Sequence, residues 1–310
     1  MNTQSNARPE GFDSQAAAPA PISEVRLFLW SVRRELWDYR SLYLAPLAVS
    51  ALILIGLLIG TVHLPGKMRA ALALDGHVRM QEAIEQPYDF AAILLMATYL
   101  IIATFYCLDA LYGERRDRSI LFWKSLPVSD LTVVLSKACI PILLLPVIIW
   151  AITVATQFLM MLIASMVLAA SGQSVAALWS NVPLFSMSLK LLYHLVGMHG
   201  LYWAPFYGWM LLVSGWARRA PLVWAILPPL AVSVVEKIAF NTSYFARIVQ
   251  SQFVGGPEKI DYPAGSSMMH PLTLLGVGRF LIGHGLWIGL ALFAAFLFAA
   301  VRLRRSQAPI

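Results

Sequence analysis

The chain has 310 residues, of which 59% are hydrophobic and only 13% are charged, and its mean hydropathy is +0.70. A water-soluble domain is about 45–50% apolar and about 25% charged, so this composition excludes a protein whose whole surface faces water. The net charge of +7 would also suit nucleic acid, but the basic residues lie in short clusters between apolar runs. That distribution favours phospholipid headgroups over nucleic acid as the partner.

The first 22 residues are rich in Ala, Pro, Ser, Asn and Gln and contain no apolar block. Such a segment buries too little apolar surface to offset the loss of chain entropy. We therefore expect residues 1–22 to be a disordered tail on the cytoplasmic side. They do not have the pattern of a signal peptide, because the first long apolar run begins only near Tyr43.

Residues 23–42 have the pattern of an amphipathic helix at the membrane surface. Ser23 can cap such a helix, and Glu24 complements the positive end of its dipole. Apolar residues recur at helical spacing, and the side chains expected at the headgroup boundary are Arg26, Trp30, Arg33, Arg34 and Trp37. The alternative is that this segment is only a basic flank of the first membrane span.

Six apolar stretches are long enough to cross a bilayer, which takes about 20 helical residues. They are residues 43–63, 90–112, 138–168, 191–216, 221–240 and 280–301. Pro141 and Pro146 predict a kink or a steep tilt near the start of the third stretch. Residues 23–305 are thus expected to form one membrane domain, followed by a short tail of residues 306–310.

The lysine and arginine residues between the spans predict how the chain is oriented. With both termini cytoplasmic, fourteen basic residues fall on the inner side, and eight fall on the outer side, where they are diluted by acidic residues in longer loops. Cytoplasmic loops carry the excess of Lys and Arg. We therefore predict a multi-pass protein of the plasma (inner) membrane with both termini in the cytoplasm.

Pairs of glycines four residues apart occur in the first and sixth stretches, at Gly56 and Gly60 and at Gly285 and Gly289. Small residues at this spacing let helix backbones approach closely in lipid. Such a pair is either a contact between two copies of the protein or part of ordinary helix packing within one subunit.

The loop after the second span joins a cluster of charges to a short apolar block. Charges fill residues 114–118, apolar side chains occupy residues 120–123 and Leu126, and Pro127 ends any helix before it. Ser129 or Asp130 can then cap the next helix. Burial of one large apolar side chain is worth roughly 1.5–3 kcal/mol, so we expect this block to contact lipid or a partner.

This loop resembles the corresponding loop of permease subunits in the type 2 ABC exporter family. The matching features are Glu114-Arg115, the apolar turn 120–123, the Leu-Pro-Val-Ser step 126–129 and Lys137. Family members commonly carry a Gly-Thr pair after the charges, where this chain has Arg118-Ser119. The six-span layout and the preceding surface helix extend the resemblance over most of the chain.

The resemblance implies an all-α polytopic membrane protein with six transmembrane helices, an N-terminal elbow helix (residues 23–42) and a cytoplasmic coupling helix. The coupling residues that would dock on a separate ATPase subunit are Glu114, Arg115, Arg116, Ile120, Leu121, Phe122, Trp123, Leu126 and Pro127. The functional unit would be an ATP-driven exporter of two permease chains and two ATPases. The second permease is either an identical chain or a sister permease.

The chain itself is not expected to hydrolyse ATP or to bind a cofactor or metal. A phosphate-binding loop reads Gly-x-x-x-x-Gly-Lys-Ser/Thr, whereas Gly60 and Gly66-Lys67-Met68 have one residue too many between the glycines and end in Met. The nucleotide site is therefore expected on another polypeptide. The alternative function is a membrane-embedded enzyme or accessory protein without an ATPase, whose candidate polar residues are Asp109, His194 and His199.

Overall fold

The computed structural model describes residues 23–74, 76–125, 128–254 and 284–306. The two predicted tails, apart from Ser306, and the coupling residues Leu126 and Pro127 lie outside these ranges. Within them every regular element is a helix, and six helical stretches are long and apolar enough to cross a membrane. The prediction of an all-α polytopic membrane protein is confirmed.

Fourteen α-helices make up most of the described chain. The first six are α1 (Glu24–Asp38), α2 (Ser41–Gly60), α3 (Leu64–Leu72), α4 (His77–Ala110), α5 (Tyr112–Arg116) and α6 (Ile120–Ser125). The others are α7 (Asp130–Cys139), α8 (Leu145–Ala170), α9 (Val175–Asn181), α10 (Leu184–Tyr193), α11 (Ala204–Trp216), α12 (Pro221–Phe240), α13 (Tyr244–Val254) and α14 (His284–Ser306). Two π-helical segments, Ile140–Leu144 and His194–Tyr202, join α7 to α8 and α10 to the turn before α11.

The six candidate spans overlap the six apolar stretches of the sequence. They are Ser41–Leu72, His77–Arg116, Asp130–Ala170, Val175–Tyr202, Pro221–Phe240 and Gly285–Ser306. The fourth differs most from the expected 191–216, because the helix is interrupted at Trp203. Pro205 follows in the first turn of α11, and its missing N–H prevents the hydrogen-bond ladder from continuing unbroken.

The two π-helical segments cross each other inside the bundle. Pro141 lies in the first segment, where a wider turn replaces the predicted kink. Gly200 of the second segment lies close to the first segment: a Cβ atom added at Gly200 would be 2.5 Å from the carbonyl oxygen of Ile142. The Tyr99 hydroxyl of α4 lies 2.8 Å from the Pro141 carbonyl and 3.1 Å from that of His199, so it can donate a hydrogen bond to either segment.

The core is built around α4, which packs against α2, α8 and α11. In the most apolar 18 residues of α4, half of the residues are buried, whereas in the corresponding stretch of α12 only 6% are buried. Much of the surface of α2 and α12 is therefore left for lipid or for another chain. Gly56, Gly60 and Gly285 have no neighbouring atom within 4 Å of an added Cβ, so the interpretation as helix packing within the subunit is wrong for these three glycines.

Candidate functional site

Buried charges gather where α1, α5, α7 and α14 meet at one end of the bundle. Each helix contributes: α1 carries Arg34 and Glu35, α5 carries Glu114, α7 carries Asp130 and Lys137, and α14 carries Arg304. We call these six side chains the ionic cluster. It holds three cations and three carboxylates, and Glu35 and Lys137 are each only 1% exposed.

Glu35 and Glu114 share two cations at the centre of the ionic cluster. The Lys137 Nζ lies 2.9 Å from Glu35 Oε1 and 3.1 Å from Glu114 Oε1. The Arg34 Nη2 donates to the same two oxygens at 2.9 and 3.0 Å. Because a charge removed from water is stable only when it is paired and hydrogen-bonded, each buried lysine or glutamate here depends on residues from other helices.

The outer oxygens of the two glutamates are also bound. Arg304 donates to Glu114 Oε2 through Nη1 and to Asp130 Oδ1 through Nε, the latter at 3.0 Å. The hydroxyl of Tyr106 donates to Glu35 Oε2 at 2.9 Å. All four oxygens of Glu35 and Glu114 therefore have partners, and the last turn of α14 is tied to α5 and to the start of α7.

The local sequence explains how α7 presents two members of the ionic cluster. Ser129 is its N-cap, and the side-chain oxygen accepts the N–H of Thr132 at 3.1 Å. Asp130 follows in the first turn, where a carboxylate complements the helix dipole. Lys137 lies seven residues, or about two turns, further along and therefore on the same face.

The residues predicted for the elbow helix divide between two faces of α1. Arg26, Trp30, Arg33 and Trp37 are exposed, and the Arg33 guanidinium lies 4.7 Å from the ring centroid of Trp37. Arg34 points instead into the ionic cluster, although the sequence placed it with the headgroup residues. Ser23 occupies the N-cap position, but its side chain makes no capping hydrogen bond.

The residues predicted for coupling divide in the same way, into an exposed tip on α6 and a largely buried root on α5. Leu121 and Phe122 of α6 are 58% and 59% exposed. Ile120 is buried, and Trp123 is half-buried with its ring 3.5 Å from the Arg34 guanidinium carbon. In the root, Glu114 and Arg115 are buried and Arg116 is exposed.

Arg115 anchors α5 to the end of α11. Its guanidinium donates to the Ser214 carbonyl at 3.0 Å and to the Ala217 carbonyl. The Ser214 hydroxyl oxygen in turn accepts the N–H groups of Leu111 and Tyr112 at 3.0 and 2.9 Å. The polar groups where α4 ends and α5 begins are thus bound to α11, a contact that sequence reasoning missed.

The corner between α5 and α6 has left-handed backbone geometry. Arg118 has φ +58°, a conformation that glycine adopts at little cost and other residues rarely adopt. This is the position where the exporter family commonly carries glycine. The corner therefore carries a non-glycine residue in a backbone conformation that favours glycine.

A polar cavity of about 250 Å³ opens at the ionic cluster, between α1 and the end of α4, and Arg34, Glu35 and Lys137 line part of it. Glu114, Asp109 and Trp123 are among its lining residues. Asp109 accepts the Tyr39 hydroxyl at 3.1 Å and lies 3.8 Å from Arg116 Nη1. Burial, and then the nearby Asp109 carboxylate, raise the pKa of Tyr39, so Tyr39 stays protonated and acts as a donor.

Sequence reasoning did not assign Glu35, Asp130, Lys137 or Arg304 to a site. One signal was present: Glu35 lies between Val32 and Leu36, on the apolar face of an amphipathic helix. A carboxylate in that position needs a buried cation. The pattern does not say which cation, because Lys137 is 102 residues away along the chain.

The three candidates for embedded catalysis lie in different surroundings. Asp109 contacts Tyr39 and Arg116, whereas the Nδ1 of His199 lies 3.1 Å from the His194 carbonyl oxygen. In the part of the chain that the structure describes, no three His, Cys, Asp or Glu side chains are grouped so that they could hold a metal ion.

Comparison with known proteins identifies no relative of this chain. No family model, curated protein or solved structure matches this chain. The function is therefore argued from the ionic cluster, the exposed tip of α6 and the resemblance of the loop.

Proposed function

We propose that this chain is the membrane-spanning permease subunit of an ATP-driven exporter of the type 2 ABC family. In this proposal α6 docks on a separate ATPase subunit, and the chain forms part of the translocation pathway. The observation that carries the proposal is the exposed apolar tip, Leu121 and Phe122, on a short helix whose root is tied to three other helices.

The tip of α6 has the chemistry of a docking surface. Two adjacent large apolar side chains are more than half exposed there, beside the charged residues Arg116 and Lys124. Burial of each would contribute roughly 1.5–3 kcal/mol to a complex, and a central apolar anchor within a polar rim is typical of protein interfaces. An ATPase with an apolar groove would satisfy this surface.

The root of α6 offers a route by which docking can move the membrane helices. Glu114 binds side chains from α1, α7 and α14, and Arg115 binds carbonyl groups at the end of α11. A displacement of the coupling helix would therefore pull on four helices at once. In this proposal ATP is bound and hydrolysed by the partner, and the chain itself has no catalytic or cofactor-binding residue.

The outer face of α1 supports the proposed place of this end of the bundle at the cytoplasmic leaflet. Arg26 and Arg33 would meet anionic headgroups, and Trp30 and Trp37 would lie at the boundary with the acyl chains. Both termini would then lie in the cytoplasm and the protein in the plasma (inner) membrane. The exposed α2 and α12 leave room for a second permease, either an identical chain or a sister chain.

The test is co-purification from the native membrane with a mild detergent. We expect the tagged chain to bring down an ATPase with a phosphate-binding loop, and the double substitution Leu121→Asp and Phe122→Asp to abolish this while the chain still inserts. Arg305→Asp, an exposed change on α14, is the control and should retain the ATPase. Purification of the unaltered chain without any such ATPase would disprove the proposal.

A further inference from the structure

The cations that bind Glu114 share one property: each has a second carboxylate partner. Arg34 also contacts Glu35 at 2.9 Å and Asp38 at 3.2 Å. Lys137 also contacts Glu35 at 2.9 Å. For Arg304 the second partner is Asp130, at 3.0 Å. The ionic cluster therefore offers every cation an alternative to Glu114.

This redundancy lowers the cost of moving Glu114 away from the cations. Breaking a buried ion pair is ordinarily unfavourable because it leaves a charge without compensation in a medium that solvates it poorly. Here the loss of Glu114 would leave Arg34 and Lys137 on Glu35, and Arg304 on Asp130. Each of these cations would keep a carboxylate, and Glu35 would keep the Tyr106 hydroxyl as well.

The displaced carboxylate also has a place to go. Glu114 lines the polar cavity of about 250 Å³ together with Ser119 and Gly113, with Arg34, Glu35 and Lys137 of the ionic cluster, and with Asp38, Asp109 and Asp117. A polar cavity of this size holds several water molecules, which would solvate the carboxylate. A short movement of α5 would therefore replace the direct contacts of Glu114 with Arg34, Lys137 and Arg304 by water, within a cavity that Arg34 and Lys137 still line.

The backbone around Glu114 has a fixed point about which to turn. Arg115 is held by the Ser214 and Ala217 carbonyls, and it projects about 100° around the helix from Glu114. Rotation of α5 about the Arg115 contact would move Glu114 without breaking that contact. The left-handed corner at Arg118 would carry the rotation on to α6.

We propose that Glu114 is a reversible latch. In the closed state it bridges Arg34, Lys137 and Arg304, and in the open state it lies in the cavity while Glu35 and Asp130 retain the cations. In the closed state the latch couples α6 to α14, and in the open state it lets α6 swing relative to α14 without leaving a buried cation unpaired. This inference rests on the proposed function only for its use, since there a partner bound to Leu121 and Phe122 would select between the two states.

The test measures the distance between α6 and α14 in the full chain. Nitroxide labels are placed at Leu121→Cys and Arg305→Cys, both exposed, after Cys107 and Cys139 are replaced by serine. Pulsed dipolar spectroscopy in lipid nanodiscs should give a main closed distance and a minor open one. We expect Glu114→Gln to increase the open population at least fivefold.

Two further variants should act in the opposite direction. Glu35→Gln removes the alternative partner of Lys137, and Asp130→Asn removes that of Arg304, so these two cations depend on Glu114 and the open population should fall below that of the parent. A merely structural cluster would be loosened by all three changes. Asp117 lines the cavity but is not part of the ionic cluster. Asp117→Asn is therefore the control, and we expect it to leave the open population unchanged.

The latch is overturned if all three variants broaden the distances alike, or if Glu114→Gln leaves them unchanged. Should Glu114→Gln not fold, Glu114→Asp keeps the charge on a shorter side chain and should give a smaller increase in the open population, and no increase would equally overturn the latch. The measurement contains no ATPase. Failure of the latch therefore leaves the permease proposal standing, and failure to find an ATPase leaves this measurement valid.

Discussion

Lys137 illustrates how strongly a single buried charge depends on its neighbours. Its ammonium group contacts Glu35 and Glu114, and only 1% of the residue is exposed. The lysine side chain has little water around it, so these two carboxylates supply almost all of its stabilisation. Conversely, the two carboxylates rely on Lys137 to offset their mutual repulsion.

We expect Lys137→Met to lower the free energy of unfolding by at most about 3–5 kcal/mol, the usual cost of removing one partner of a buried ion pair, because Arg34 and Arg304 still bind the two carboxylates. The change preserves the length and apolar body of the side chain, so the loss would reflect charge. Thermal unfolding in detergent measures the effect. Lys124→Met, at an exposed position on α6, should change stability by less than about 1 kcal/mol, and equal effects at both sites would contradict the argument.

The backbone of Arg118 has a left-handed conformation, which is energetically unfavourable for a residue other than glycine. At φ +58° a non-glycine residue carries a cost of roughly 1–2 kcal/mol. We expect Arg118→Gly to stabilise the chain by about 1 kcal/mol, after the greater freedom of glycine in the unfolded chain is subtracted. Arg116→Gly, in the right-handed helix α5, should destabilise it by about 1 kcal/mol.

Denaturant titration of the two variants compares these signs directly. A loss of stability in Arg118→Gly would mean that the corner between α5 and α6 is not left-handed in solution.

At the scale of elements, the crossing of the two π-helical segments depends on Gly200. An added Cβ would lie 2.5 Å from the carbonyl oxygen of Ile142, which is backbone and has little freedom to move. We expect Gly200→Ala to lower stability by about 1–3 kcal/mol through overpacking. Thermal unfolding or loss of the monodisperse fraction on gel filtration would report it.

Gly56→Ala is the matched control for that crossing. Gly56 lies in the membrane helix α2, and an added Cβ meets no atom within 4 Å. The substitution should be neutral or slightly stabilising, because alanine favours the helix by up to about 1 kcal/mol. If Gly56→Ala were as harmful as Gly200→Ala, Gly56 would have to contact a second chain.

Four helices, α1, α5, α7 and α14, meet at the ionic cluster. Each contributes its charges at a helix end or on one face, and the apolar remainder of α7 and α14 leads into the membrane spans. The ends of helices are where charged side chains can occur in a membrane protein at low cost. The ionic cluster therefore joins three of the candidate spans near their ends.

At the scale of the whole molecule, the excess of basic residues predicts which end faces the cytoplasm. The tip of α6 and the start of α10 lie at opposite ends, since α10 packs with α3 and the end of α8 through Met187 and neighbouring residues. Leu121 and Phe185 are both exposed. Labelling of one cysteine at either position can therefore establish the orientation.

In a chain without Cys107 and Cys139, we expect Phe185→Cys to react with a membrane-impermeant maleimide in intact cells. Leu121→Cys should react only after the cells are opened, because positively charged loops stay on the cytoplasmic side. Reaction of Leu121→Cys in intact cells would reverse the orientation and with it the proposal that a cytoplasmic ATPase binds α6.

Much of the architecture could be predicted from the sequence, because membrane insertion depends on local composition. Each span is a continuous apolar stretch, and the limits of the fifth, Pro221–Phe240, are those of the apolar run itself. The break at Trp203 and the π-helical turns were not predicted. Pro205 was a local signal for the break, whereas the π-helical turns contact each other through Gly200 and Ile142 and also contact Tyr99, and no local window includes these contacts.

The candidate site could be predicted only in part. The amphipathic pattern of residues 23–42 predicted the helix α1. The apolar block at 120–123 predicted a contact surface, and Leu121 and Phe122 of this block are exposed. The amphipathic pattern did not separate Arg34 from Arg33, although these neighbours face the interior and the surface respectively. A one-residue step turns a helical side chain by about 100°, so only the packing of α1 decides.

The sequence by itself determined the class of protein, the number of apolar spans and the clustering of basic residues between them. These are properties of single segments, since lipid selects each helix by its own hydrophobicity. Only the tertiary structure decided that Glu114 binds Arg304, 190 residues away, and Arg34, 80 residues away. An ion pair forms between whichever opposite charges the packed helices leave buried together, and that juxtaposition leaves no periodic trace in the chain.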